Sequence, residues 1–135
     1  MALCLGLAGV VWAVLPLSQM TLAWDHSVEK IRWEEDYRVT TAGLLLGEAR
    51  VKGSGAGMEI PDDAVGHGTF WSYRRVLPPL QPLRLARTPE AGDYQLCFKG
   101  ACHPLSKWLG SPRADAPWVE LWSCADTASS LQVGR

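Results

Sequence analysis

The sequence has no basic run, stripe or tail. Its 135 residues include 13 Lys and Arg against 14 Asp and Glu, a formal net charge of −1. Proteins that bind nucleic acid neutralise phosphates with clustered basic side chains, so we predict no nucleic-acid partner. Charged residues make up 20% of the chain and apolar residues 47%, which favours one folded domain over disorder.

A long apolar run is also missing. The N-terminal segment has no charged side chain through Leu17, whereas a membrane-spanning helix needs roughly 20 apolar residues. We therefore interpret residues 1–17 as a signal peptide or an N-terminal membrane anchor, beginning with a short apolar helix. No Lys or Arg precedes the run and no small-x-small site follows it, so a buried first helix or a misassigned start is the alternative. The first interpretation predicts a periplasmic or extracytoplasmic protein that meets the membrane only through its N-terminus.

Signatures of nucleotide cofactors do not occur. The segment 53–61, GSGAGMEIP, has neither the spacing of a dinucleotide fingerprint nor the GK[ST] of a phosphate loop. Its glycines free backbone N–H groups that suit an anion, and the alternative is a bulged turn where another backbone approaches closely. We predict no cofactor.

The chain contains only four cysteines. Cys97 and Cys102 flank the residues FKGA, and a two-residue turn at KG places the two cysteines opposite each other at bridging distance. A metal site built from Cys97, Cys102, His103 and Cys124 lacks the spacing of known zinc motifs. We therefore predict a Cys97–Cys102 disulfide, no metal, and a free, buried Cys124.

Period-two alternation of apolar and polar residues dominates the rest of the chain. Short strand-like runs alternate with turns rich in Gly and Pro, and the helical candidates are residues 3–15 and a turn near LSKWLG. The pattern predicts an all-β fold, a small antiparallel sandwich or partly open barrel of about eight short strands. We expect one β domain over 18–125 and a frayed tail over 126–135. The strand-like runs are 20–28, 31–39, 44–51, 69–77, 83–86, 94–98, 101–105 and 118–124.

Two polar side chains interrupt the apolar face of the first predicted hairpin. Pairing 20–28 with 31–39 sets Trp24 opposite Glu35 and puts His26 and Glu35 on the same face. A structural pair, His26 satisfying Glu35, is the first interpretation, and a ligand pocket or an acid–base pair is the alternative. The other charges of the hairpin are predicted to lie on the wetter face: Lys30, Arg32, Glu34, Asp36 and Arg38.

Taken together, the motifs HSVEK, EARVKGSGAGME and C-KG-C resemble those of the bacterial family catalogued as domain of unknown function 1850. The resemblance implies a small exported or membrane-anchored protein. It also implies a setting similar to that of accessory partners of tripartite ATP-independent periplasmic (TRAP-type) transporters. It implies no established activity and supplies no catalytic residues.

Three functional hypotheses follow from these observations. The favoured one is an exported, non-enzymatic accessory or binding module whose partner is a transporter permease or solute receptor and which binds a small molecule. The second is a small hydrolase or other enzyme that uses His26 with Glu29 or Glu35, and the third is a metal-binding protein. The favoured hypothesis assigns ligand binding to His26, Ser27, Glu29, Glu35, Gly55, Gly57 and Met58.

Overall fold

The computed structural model describes residues 1–25, 31–53, 61–90 and 92–125. Within these ranges the chain forms eleven strands and one short helix. The elements are β1 (Ala2–Leu7), β2 (Val10–Leu15), β3 (Gln19–Asp25), β4 (Arg32–Thr40), β5 (Gly43–Lys52), β6 (Val65–Gly66), β7 (Phe70–Arg74), β8 (Leu83–Ala86), β9 (Gln95–Phe98), β10 (Ala101–Pro104), α1 (Ser106–Leu109) and β11 (Trp118–Cys124).

The strands form two antiparallel sheets that do not close into a barrel. One sheet has the order β2-β1-β11-β8, and the other has the order β10-β9-β3-β4-β5-β7-β6. The prediction of an all-β antiparallel sandwich is therefore confirmed, and each of the eight predicted runs contains a strand. The turn near LSKWLG contains α1.

The predicted N-terminal helix is wrong, because residues 2–15 form a β-hairpin. Its turn is made by Ala8 and Gly9, which have φ of 53° and 80°. Strand β1 lies between β2 and β11, and it is buried on both faces over nearly its whole length. A strand buried on both faces shows no alternation, so its apolar run cannot be distinguished from a helix by periodicity.

The two sheets share one apolar core. Leu3 and Leu5 of β1 are fully buried in it against side chains from the seven-stranded sheet. Strand β1 is therefore packed as part of the β domain. The core contains Leu3, Leu5, Leu17, Met20, Leu22, Tyr37, Val39, Leu44, Leu85, Leu96, Leu105, Val119 and Leu121.

The prediction that Cys124 is free is also wrong. Cys124 is bonded to Cys4, with the two Cα atoms 6.0 Å apart. The reason is the pairing of β1 with β11, which sets Ala2 opposite Cys124 and brings Cys4 to the same face of the sheet. A signal or anchor over residues 1–17 includes Cys4, so that interpretation offers Cys124 no partner.

The hairpin of β3 and β4 is present with a register two residues from the predicted one. Trp24 pairs with Trp33, and Leu22 pairs with Glu35, so Trp24 does not face Glu35. A shift of two residues keeps every side chain on its face. Glu35 therefore lies on the inner face with Leu22, as predicted, whereas His26 lies outside the described residues.

Candidate functional site

The face of the seven-stranded sheet that is turned away from the other sheet, called here the outer face, carries a network of ion pairs centred on Arg50. The Arg50 guanidinium contacts Glu34 Oε1 at 2.9 Å, Asp36 Oδ1 at 2.7 Å and Glu48 Oε1 at 2.8 Å. Strand pairing places Glu34 opposite Arg50; Glu34 and Asp36 come from the adjacent strand β4, and Glu48 comes from β5 itself. These contacts agree with the prediction that Glu34 and Asp36 lie on the polar face.

The Arg50 network holds two of its carboxylates in the charged form. A hydrogen bond from Arg50 lowers the pKa of Asp36, against a smaller opposing effect of burial. Burial raises the pKa of Glu34, but the hydrogen bonds and positive charges of Arg32 and Arg50 together outweigh it, so the pKa is lowered. A general acid or base works best with a pKa near the operating pH. Glu34 and Asp36 are therefore suited to holding arginines rather than to transferring protons.

The Cys97–Cys102 disulfide lies beside this network and confirms the sequence prediction. Strands β9 and β10 pair Cys97 with Cys102, and the Cα atoms are 4.0 Å apart. The turn between them is Lys99-Gly100, whose φ angles of 52° and 81° are both positive, as a type I′ turn requires. Gly100 adopts this conformation without the steric penalty of a Cβ.

Arg32 connects the disulfide to the Arg50 network. Its Nε donates to Glu34 Oε2 at 2.8 Å, and its Nη1 donates to Gln95 Oε1 at 3.1 Å. Its Nη2 lies 3.6 Å from Cys102 Sγ and 3.8 Å from Cys97 Sγ. Two hydrogen bonds thus fix the guanidinium plane while its remaining nitrogen faces both sulfur atoms.

An open groove of about 1010 Å³, called here the outer groove, runs along the outer face. The Cys97–Cys102 disulfide and its turn form part of one wall. The groove is lined by four basic and two acidic side chains and so carries an excess of two positive charges. These are Arg38, Arg50, Arg74, Lys99, Asp36 and Glu48.

Glu35 occupies the opposite, inner face among aromatic side chains. Its Oε1 accepts a hydrogen bond of 2.8 Å from the Tyr37 hydroxyl. The next row of this face contains Trp24 and Trp33, whose rings stack with centroids 6.4 Å apart, and Trp24 also contacts Tyr94 at 5.7 Å. Glu35 is half-buried, so it provides a negative charge close to flat apolar surfaces.

We predict that the tyrosines of the folded protein resist ionisation. Burial, and then the negative charge of Glu35, raise the pKa of Tyr37, Tyr73 and Tyr94, and the sequence has no other tyrosine. Because the folded protein holds the tyrosines in the neutral form, its free energy of unfolding is unaffected by them below the unfolded pKa of about 10. It falls as the pH rises above that value, since the unfolded chain then ionises first. Tyrosinate absorbance should therefore appear together with alkaline unfolding, measured by near-ultraviolet circular dichroism.

Removing one negative charge from each face tests the cause of the raised pKa values. Glu35→Gln should move tyrosinate formation to lower pH, because it removes the second cause of the raised pKa values. Glu48→Gln, on the outer face, should leave the titration unchanged. Normal titration of the tyrosines near pH 10 in a protein that stays folded would show that the inner face is not arranged as described.

Of the seven predicted ligand residues, only Glu35 lies in the described ranges. The described strand ends show where the two motif segments attach. Trp24 pairs with Trp33, and Trp33 pairs with Val51. The last residues of β3 and β5 and the first residues of β4 therefore lie side by side, at one edge of the sheet that is formed by strand ends. The other six residues lie outside the described residues, namely His26, Ser27, Glu29, Gly55, Gly57 and Met58.

The described residues bear on the metal-binding hypothesis but not on the hydrolase hypothesis. The hydrolase hypothesis needs His26 or Glu29, which are not described, and it stays a prediction. The metal hypothesis needs thiolates, whereas the sulfur atoms of Cys97 and Cys102 are bonded to each other. Over the described ranges, no group of three or more His, Cys, Asp or Glu side chains is arranged to hold a metal ion.

Sequence reasoning missed Arg32 and Arg50 as members of this site. Both are in the alternating strands that the pattern predicts. Their partners, however, depend on which strands are neighbours, since Arg50 meets Glu34 across β4 and β5 and Arg32 meets Gln95 across three strands. The signal that was available is the polar side of the alternation in residues 32–38.

Fold and site together define the class: a disulfide-linked antiparallel β-sandwich with an open, positively charged groove on its larger sheet. A family model described as Domain of unknown function (DUF1850) matches residues 20–105, and the chain belongs to this family. No curated protein and no solved structure matches the chain.

Two further findings bear on the setting of the protein. Two disulfides are compatible with an extracytoplasmic location, since such bonds persist in oxidising compartments. In the described part of the chain, no helix has the length and apolar character needed to cross a membrane.

Proposed function

We propose that the chain is an extracytoplasmic, non-enzymatic binding module that assists a tripartite ATP-independent periplasmic transporter by contacting its permease or solute receptor. The transporter setting comes from the family resemblance. The observation that carries the binding role is the outer groove, which is open and has charged side chains of both signs along its walls. The disulfides support the location, because they need an oxidising compartment.

Electrostatics support binding over proton-transfer chemistry on the outer face. The lowered pKa values of Glu34 and Asp36 keep both side chains ionised at neutral pH. A fixed pattern of charges recognises a complementary surface and speeds its association. The excess of positive charge in the outer groove fits a transporter segment that carries acidic side chains.

The predicted small-molecule site belongs to the other face in this proposal. Glu35 and the stacked Trp24 and Trp33 lie near the sheet edge at which β3 ends and β4 begins. The ligand residues predicted from the sequence attach at the same edge. In this proposal the outer face binds the partner protein and the inner face binds the small molecule.

We predict that reversing one groove charge weakens partner binding. The full chain is tested by pull-down and by surface plasmon resonance against the purified permease and the purified solute receptor. Arg74→Glu, an exposed groove position, should weaken binding about tenfold or more, since like charges across an interface repel. Arg113→Glu is the matched control, because Arg113 is exposed, pairs with Asp115 and does not line the groove.

A gene deletion completes this test. Deletion of the gene should lower solute uptake, and the wild-type chain but not Arg74→Glu should restore it. The proposal is wrong if neither transporter component binds the chain and if deletion leaves uptake and transporter assembly untouched. Equal losses in Arg74→Glu and Arg113→Glu would instead remove the outer groove from the interface.

A further inference from the structure

We propose that the Cys97–Cys102 disulfide is a reducible site that exchanges with a dithiol, and that Arg32 stabilises the thiolate formed on reduction. This inference is independent of the proposed transporter role. It rests on the access to the two sulfur atoms, on the position of the Arg32 guanidinium and on the contrast with the second disulfide of the same chain.

Access distinguishes the two disulfides. Cys102 is exposed and Cys97 is half-buried, and both line the outer groove. In the second disulfide, Cys4 is fully buried within the four-stranded sheet and Cys124 is half-buried, so neither cysteine is exposed. Thiol–disulfide exchange requires a thiolate to reach a sulfur atom of the disulfide. The groove admits such a reagent to Cys102, whereas the sheet excludes it from Cys4.

The guanidinium of Arg32 interacts more strongly with the thiolate formed on reduction than with the intact disulfide. A disulfide sulfur is neutral and a weak acceptor, so Nη2 at 3.6 Å and 3.8 Å gains little from the two sulfur atoms in the oxidised protein. A thiolate at either position is an anion, and hydrogen bonds to ionised groups are the strong ones. Because arginine is always charged in proteins, its stabilisation of the thiolate persists across physiological pH.

The surroundings keep this cation in place. Glu34 and Gln95 hold Nε and Nη1 of Arg32, so its side chain is ordered before reduction. Glu34 also pairs with Arg50, which shares the negative charge between two arginines. The excess positive charge of the groove acts in the same direction, and together these charges lower the pKa of a cysteine thiol.

The exchange balances without any further reactant. One thiolate of the dithiol attacks Cys102 Sγ, a mixed disulfide forms, and the Cys97–Cys102 bond breaks with its electron pair on Cys97 Sγ beside Arg32. The second thiolate of the dithiol then attacks the first sulfur of the reagent, and Cys102 leaves as a thiolate. The dithiol is oxidised to a disulfide and releases two protons, and the two cysteines are reduced and accept those protons in proportion to their pKa values.

The first experiment compares the two disulfides within the intact chain. The full-length protein is treated with dithiothreitol, quenched with iodoacetamide and mapped by mass spectrometry, with circular dichroism recorded in parallel. Cys97 and Cys102 should be alkylated at least tenfold faster than Cys4 and Cys124, with the fold retained. Equal rates, or reduction of Cys97–Cys102 only on unfolding, would overturn the proposal.

The second experiment isolates Arg32. The alkylation rate of the reduced protein, measured against pH, gives the pKa of its reactive thiol. Arg32→Gln should raise that pKa by about one unit and lower the rate at neutral pH about tenfold, and Arg32→Lys should retain part of the effect. Arg84→Gln is the control, because Arg84 pairs with Glu120 on the other sheet. A pH profile unchanged by Arg32→Gln would overturn the role of Arg32.

Single cysteine variants compare the access of a reagent to the two sulfur atoms. With oxidised glutathione as the probe, Cys97→Ser should form a stable mixed disulfide at Cys102, since no second thiol resolves it. Cys102→Ser should form the adduct at Cys97 at least several-fold more slowly, because Cys97 is half-buried. Equal rates for the two variants would contradict the assignment of Cys102 as the entry point.

Discussion

A chain that begins at Ser18 is expected to remain unfolded. Such a chain lacks β1 and β2, so β11 loses one of its two neighbours in the four-stranded sheet. It also lacks Leu3 and Leu5, which are fully buried, and full burial of one leucine side chain is worth roughly 1.5–3 kcal/mol. Together with the lost Cys4–Cys124 bond, this loss is comparable with the roughly 5–15 kcal/mol of a typical domain.

This truncation tests the boundary that the sequence predicts at residue 17. Far-ultraviolet circular dichroism and urea unfolding would show whether the shortened chain has a cooperative transition. Removal of the predicted frayed tail, 126–135, is the control for chain shortening and should leave the urea midpoint unchanged. A chain from Ser18 that unfolds cooperatively would support a removable N-terminus and would contradict the structural role of β1.

The second large effect is expected from the Cys4–Cys124 disulfide. The two cysteines are separated by 120 residues, so in the chain-entropy model their bond stabilises the folded state by about 5 kcal/mol. The Cys97–Cys102 bond closes a separation of 5 residues, and the same model assigns it about 2 kcal/mol. Cys4→Ala/Cys124→Ala should therefore destabilise the protein far more than Cys97→Ala/Cys102→Ala.

The two double variants are matched, since each loses one disulfide and two sulfur atoms. Urea unfolding with both proteins fully oxidised gives the free energy of unfolding of each, and the wild type is the common reference. The cavity left at the buried Cys4 adds to the expected difference in the same direction. Equal losses in the two variants, or a larger loss from Cys97→Ala/Cys102→Ala, would contradict the pairing of β1 with β11 as the main constraint on the chain.

The contrast between the disulfides shows how much of the site was predictable. Cys97 and Cys102 are joined by a turn of two residues, and Gly100 supplies a positive φ, so local sequence decides their pairing. Cys4 and Cys124 meet only because β1 inserts beside β11. No local pattern encodes a contact over 120 residues, and so the sequence prediction left Cys124 free.

The first hairpin shows the same division at a finer scale. Alternation placed Glu35 on the inner face and Glu34 and Asp36 on the polar face, because neighbouring residues of a strand point to opposite sides. The pairing partner of Glu35 was wrong by two residues, since Leu22 and not Trp24 lies opposite it. Register depends on the connection and on packing. Alternation does not reveal a register shift of two residues, because every side chain then stays on the same face.

By itself the sequence determined the strand content, the faces of Glu34, Glu35 and Asp36 in the first hairpin, the Cys97–Cys102 hairpin and the family resemblance, because each depends on residues close together in the chain. Only the tertiary structure decided that residues 2–15 form strands, that Cys4 bonds to Cys124, and that Arg32 faces a disulfide across the sheet. The physical reason is that these features depend on which strands become neighbours. That choice is made by burial of the whole apolar core at once.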